Sequence, residues 1–175
     1  NVSTSMVRQL SEAIVWRIDV QPEGVLHIPD DINVGLDRFH VSGFAEGAFV
    51  NGQMTAIDLP HREIRTIPKR CFSGCSDLQS VTFHSNKTKF IEAAAFRWCS
   101  SLKSLRLPSS VKMLGDYAFD QSGLVEFVVP KSVESLGVGV FRNCKSLKKV
   151  VIPGHRVGEI SGYCFEGCDS LTTIT

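Results

Sequence analysis

Six cysteines and five histidines are the side chains of this protein best able to bind a metal, attack a carbonyl carbon or move a proton. Their spacing decides among those uses. Cys71 and Cys75, and again Cys164 and Cys168, are separated as half of a zinc site would be, but no second ligand pair lies beside either. His61, His84 and His155 fall close to strand-end turns at unequal offsets, so they read as solvated turn residues that need not converge. No Gly-rich phosphate loop followed by Lys-Ser/Thr occurs, nor a His-Glu-x-x-His, nor a nucleophile elbow with Ser, His and Asp in order. Catalysis is not expected, and no metal or cofactor is called for. Asn1-Val2-Ser3 and Asn86-Lys87-Thr88 match the glycan acceptor sequon, a pattern short enough to arise by chance.

The elements that position these residues are repeats. Phe49, Phe72, Phe96, Phe119, Phe141 and Phe165 recur at intervals of 23, 24, 23, 22 and 24 residues. A period in the low twenties marks one turn of a solenoid, a unit that buries its apolar face only by stacking on its neighbours. Counting from each Phe, a branched apolar residue opens the preceding hexad at Ile67, Ile91, Leu114, Leu136 and Ile160. A small residue precedes the Phe at Ala48, Cys71, Ala95, Ala118, Val140 and Cys164.

After the Phe comes a block such as Leu78 to Phe83, matched by Met54 to Leu59, Leu102 to Leu107, Leu124 to Val129 and Leu147 to Ile152. Its end alternates inward and outward with the period of a strand. Pro60, Pro108, Pro130 and Pro153 close four of these strands, where a residue without an N–H belongs. Stacking then predicts inward columns Ile57/Val81/Leu105/Phe127/Val150/Ile174 and Leu59/Phe83/Leu107/Val129/Ile152.

The same register accounts for every cysteine. Cys75, Cys99, Cys144 and Cys168 stand three places after the Phe, while Cys71 and Cys164 fill the small place before it. Buried free thiols acting as compact apolar residues are the plainer reading. A bridge between the vertical neighbours Cys75/Cys99 or Cys144/Cys168 is also sterically open, since strand spacing falls inside the disulfide window.

The motif Leu-x-x-Leu-x-Leu-Pro followed by Val-x-x-Leu-Gly-x-x-Ala-Phe, as in Leu102 to Phe119 with Cys99 and Cys144 in adjacent units, closely resembles the BspA-type leucine-rich repeat. The resemblance covers residues 44–175, five units plus a truncated last one. It implies an α/β leucine-rich-repeat fold: a right-handed solenoid with a parallel sheet on one face, short turns or 3₁₀ segments opposite, and few regular helices. Residues 1–43 fit the repeat poorly and read as an N-terminal cap or degenerate first repeat, with Val25-Leu26-His27-Ile28-Pro29 as one stray strand. The resemblance also implies a surface or secreted protein acting in adhesion and recognition, so an extracellular or cell-surface address is expected, although free thiols also suit the cytoplasm.

Composition narrows the partners. The 43% apolar content supports a core, and no apolar run reaches the length of a membrane helix. The chain begins without Met and stops partway through a unit, which reads as part of a longer protein. Residues 1–63 hold 4 basic and 9 acidic side chains against 15 and 9 in residues 64–175, but Lys and Arg form no dense stripe, so nucleic acid is not an expected partner.

Outward strand positions remain. Val128 and Val151, flanked by Arg106, Glu126 and Lys149, form an apolar spot with a charged rim, the anatomy of a protein contact. The expected function is a non-catalytic recognition or adhesion module binding a protein ligand, such as a host or extracellular-matrix protein, through its sheet face. The alternatives are an architectural spacer array and a substrate-recruiting arm of an enzyme outside these residues. Either end of the stack can also offer a strand edge for self-association.

Overall fold

A computed structural model of the chain describes residues 8–9, 12–15, 23–153 and 156–175. The sequon at Asn1 and the turn residue His155 lie outside them. Strands β1 (Arg8–Gln9), β2 (Glu12–Val15), β3 (Gly24–His27), β4 (Asp31–Val34) and β5 (Asp37–Phe44) come first, with β4 and β5 forming an antiparallel hairpin whose long strand also pairs in parallel with β2. Beyond Phe44 the backbone winds in coils. Strands β6 (Met54–Asp58), β7 (Thr66–Ile67), β8 (Ser80–Thr82), β9 (Phe90–Ile91), β10 (Met113–Leu114), β11 (Glu126–Val128), β12 (Ser135–Leu136), β13 (Lys149–Val151) and β14 (Thr173–Ile174) follow. β3, the stray strand before Pro29, pairs in parallel with β6 and so lies on the face that the coils continue.

Six phenylalanine rings stack down the axis. From Phe49 to Phe165 successive centroids lie 5.1, 5.1, 5.4, 5.7 and 5.6 Å apart with the planes within 16° of parallel. Phe72, Phe96, Phe119 and Phe141 have no exposed surface. Burying each contributes on the order of 1.5–3 kcal/mol relative to exposure. Thr88 takes the inward place that Ile64, Val111 and Val133 fill in other coils, and it is buried with its Oγ1 donating to the carbonyl of Ile64 in the previous coil at 2.6 Å.

The corners carrying these rings explain why an α/β description fails. No helix forms among the described residues, because alternate amides leave for the next coil. Ala118, Asp120 and Ser122 donate three residues back, to Gly115, Tyr117 and Phe119, whereas Tyr117, Phe119 and Gln121 donate sideways, to Val138, Val140 and Arg142. A helix needs every amide to point along its own axis; here half are spent between coils. The geometry places left-handed residues two before and two after each Phe, for example Tyr117 (φ 55°) and Gln121 (φ 58°) around Phe119.

A second departure is a second parallel ladder. The residues that open each hexad form their own sheet, β7-β9-β10-β12, with Ile67, Ile91, Leu114 and Leu136 in register and Ile160 joined by a further bridge. The expected turn face is therefore a sheet as well. A third departure concerns Leu102 to Leu107, which points Leu105 and Leu107 inward as expected but joins no ladder. The outer sheet splits there into β3-β6-β8 and β11-β13-β14. Phe83 before this segment and Phe127 after it are the outsized members of the inward columns. Phe127 tilts against both Phe119 and Phe141 at 5.1 Å while its own strand stays in register with β13.

Replacing the mid-stack Phe96 with Ala removes two ring contacts and leaves a cavity between coils. The expected loss is about 3–5 kcal/mol in urea unfolding, and a loss under about 1 kcal/mol would show that the stack does not hold the coils together.

Candidate protein-binding face

Of the five outward residues singled out from sequence, Arg106 stands in the unpaired segment and Glu126, Val128, Lys149 and Val151 lie on the sheet that follows it. Parallel pairing puts Glu126 opposite Lys149 and Val128 opposite Val151, so the two valines lie side by side. Val128 is 59% exposed, and Val151 is half-buried. Arg106 stands across a groove of about 370 Å³ whose walls include Leu105, Leu107, Glu126, Val128 and Pro130. On the other side of the unpaired segment a second groove of about 570 Å³ runs between Val81–Asn86 and Arg106–Ser109. Arg106 thus borders both grooves, and the inward residues Leu105 and Leu107 are among those that line them. The periodic pattern gave no hint of these grooves, since Leu102 to Leu107 matches the repeat motif fully.

All six cysteines are free thiols, which answers the question of bridges. Their placement has a specific cause. Cys75, Cys99, Cys144 and Cys168 each donate S–H to the carbonyl of the Phe in the preceding coil, Phe49, Phe72, Phe119 and Phe141, at 3.0–3.2 Å. That carbonyl also accepts an amide within its own turn, so the thiol satisfies its second lone pair in a dry site. Burial pushes the thiols of Cys75 and Cys144 up to about 12 and that of Cys164 up to about 11. Such thiols remain protonated and unreactive at neutral pH.

Two of the histidines do converge, contrary to the reading from spacing. His61 and His84 stack with centroids 4.0 Å apart, His84 Nε2 meets Asp58 Oδ1 at 2.5 Å, and His27 Nδ1 meets Asp58 Oδ2 at 3.0 Å. Asp58 is held below the ordinary carboxylate range by the bond from His27 and then that from His84. The signal was available: His27 and Asp58 both stand two places before a strand-closing Pro, which makes them vertical neighbours. Alongside, Asp30 Oδ1 accepts the amides of His61 and Arg62, while Asp31 pairs with Arg38, His40 and Arg62. These contacts tie the N-terminal hairpin to the first coil. None of the described residues forms a group of three or more side chains suited to a metal ion.

Parallel coils of this length, with apolar columns and a stacked Phe, define a leucine-rich-repeat solenoid. A family model described as the BspA type leucine rich repeat region matches residues 42–172 in six copies, and the chain belongs to that family. Among solved structures, it is similar to a leucine-rich repeat protein from Bacteroides ovatus, at 25% identity and a TM-score of 0.85, covering 99% of this chain and 45% of that one. It is similar also to the T. pallidum leucine rich repeat protein TpLRR, at 26% identity and 0.85, covering 99% of this chain and 78% of the other. The pneumococcal vaccine antigen PcpA shares the fold at 20% identity and 0.52, over 99% of this chain and 47% of that one. The chain thus spans less than half the length of the Bacteroides protein. No curated protein matches it.

The acidic contacts set a pH dependence. Asp31 is held down to about 2 from an ordinary 3.8, chiefly by the bond from His40, with Arg38 and Arg62 adding to it against the cost of burial. A carboxyl depressed in the folded state stabilises above its unfolded value and ceases to do so as pH falls through its folded value. Stability measured by urea midpoint should therefore fall between about pH 4 and pH 2, and Asp31→Asn should flatten that slope. An unchanged slope in the variant would remove Asp31 as its source.

Proposed function

We propose that the chain is a non-catalytic recognition module that binds a protein partner through the outward sheet face around Arg106, Glu126, Val128, Lys149 and Val151. The observation that carries this reading is the exposed Val128 beside the half-buried Val151 at the gap in the sheet, where Leu105 and Leu107 line a groove with Arg106 and Glu126. An apolar centre with a polar rim is how protein contacts are built. A leucine-rich-repeat fold supports it, since stacked coils supply a continuous surface over which several units contribute affinity together.

An adhesive role at the cell surface or outside the cell belongs to the same proposal, and membership in the BspA-type family supports it. Among the described residues no helix is long and apolar enough to cross a membrane. The spacer reading draws no support from the exposed Val128, which an inert array has no reason to carry.

Substituting Val128 and Val151 together with Glu places two charges in the apolar centre without touching the core. Binding to extracellular-matrix proteins coated on a surface should fall at least about tenfold, as for loss of a central contact, with an unchanged circular-dichroism spectrum and unfolding midpoint. Full binding by the folded double variant would remove the proposed face.

A further inference from the structure

A different part of the surface carries more ordered chemistry than the fold requires. At the corners, the positions two before and two after each Phe are left-handed, and six of the twelve are occupied by Gly or Asn, which suit that geometry. Three others hold the large aromatics Trp98 (φ 61°), Tyr117 (φ 55°) and Tyr163 (φ 63°). Bulky residues in this region are conformationally costly, and Trp98 and Tyr163 are 42% and 65% exposed, so core packing does not repay that cost.

Trp98 and Tyr117 belong to one connected cluster. The guanidinium carbon of Arg97 lies 3.9 Å from the centre of the Trp98 ring, and that of Arg142 lies 4.8 Å from the centre of the Tyr117 ring. Both arginines are fixed by a single carboxylate, Asp120, which has no exposed surface: Arg97 Nε donates to it at 2.8 Å, Arg142 Nε at 3.1 Å. Tyr117 is seated over Gly139, where a Cβ would come within 2.5 Å of its ring. Side chains from three coils are thus held rigid at the surface. Trp, Tyr and Arg immobilised in this way are the types that dominate binding energy in protein contacts.

Charge indicates the partner. Gln121, which donates to Asp120 at 3.3 Å, also lines a neighbouring cleft of about 440 Å³ together with Ser100, Asn143, Lys145 and Ser146. The amino group of Lys103 lies at the same cleft, close to Gly123. None of the residues lining the cleft is acidic. Glu166 acts on Arg142 only weakly beside Asp120.

We infer that this corner is a second contact surface, distinct from the sheet face, which takes an acidic protein segment: its carboxylates meet Lys103, Lys145 and the outer guanidinium nitrogens, and its apolar side chains lie on Trp98 and Tyr117. The probe is a labelled peptide of glutamate and leucine, titrated onto the Trp16→Phe protein so that Trp98 is the sole indole reporter. Saturable change in Trp98 emission is expected, weakening with salt, with no such response to a peptide of lysine and leucine. Trp98→Gly places in the left-handed position the residue that suits it, so the variant should unfold no earlier than the parent yet bind the labelled peptide at least about tenfold less tightly by anisotropy. Lys145→Glu, at an exposed position, should weaken binding similarly, whereas the Val128/Val151 double variant should bind as the parent does. No saturable response, an equal response to the lysine peptide, or parental affinity in both folded corner variants would overturn the inference.

Discussion

Each corner of this solenoid divides its backbone amides between its own turn and the coil beside it, and the rest of the molecule depends on that division. An amide spent sideways cannot build a helix, so the corner stays one tight arch with left-handed residues on either side of the Phe. Coils locked at this spacing must place Phe on Phe. The rings then exclude water from the carbonyls between them, and a buried carbonyl with a spare lone pair requires a donor. Cysteine meets that need at the third place after the Phe, being small enough for the dry site and carrying a weak donor aimed at the preceding coil. Repeating ring, carbonyl and thiol are therefore three consequences of one hydrogen-bonding pattern.

Much of this was legible in the sequence because stacking converts a linear period into vertical neighbours. The Phe column, the inward columns and five buried cysteines follow from counting alone; at the last coil, which has no following coil in the chain to cover it, the expected inward Ile174 is 49% exposed and Cys168 is half-buried. The second ladder escaped because its strands are two residues long, too short for alternation to register. The gap at residues 104–107 escaped for the opposite reason: that unit matches the motif best, so nothing in its own pattern sets it apart from the coils that pair. Histidine convergence failed through reading each turn separately. Once β3 is laid against β6, His27 and Asp58 fall together, and His84 reaches the same carboxylate. The Asp120 cluster was legible by the same counting and was passed over: Arg97, Asp120 and Arg142 each stand directly after a Phe of the column, so the register stacks a carboxylate between two guanidiniums.

Departures from strict repetition coincide with the candidate contact surfaces. Where residues 104–107 leave the ladder, grooves open beside Arg106 and Val128. Where aromatics replace glycine at the arch, a rigid ridge of Trp98, Arg97, Arg142 and Tyr117 appears. The regular part supplies stability, and the irregular part supplies identity.

Native-state hydrogen exchange tests the central claim most directly. Because the amides of Phe72, Phe96 and Phe119 are each donated to the next coil at 2.8–2.9 Å, they should exchange only through global unfolding, sharing one opening free energy that equals the stability from urea. Exchange of these amides at the rates of exposed turn residues, or with unrelated opening energies from coil to coil, would contradict the account.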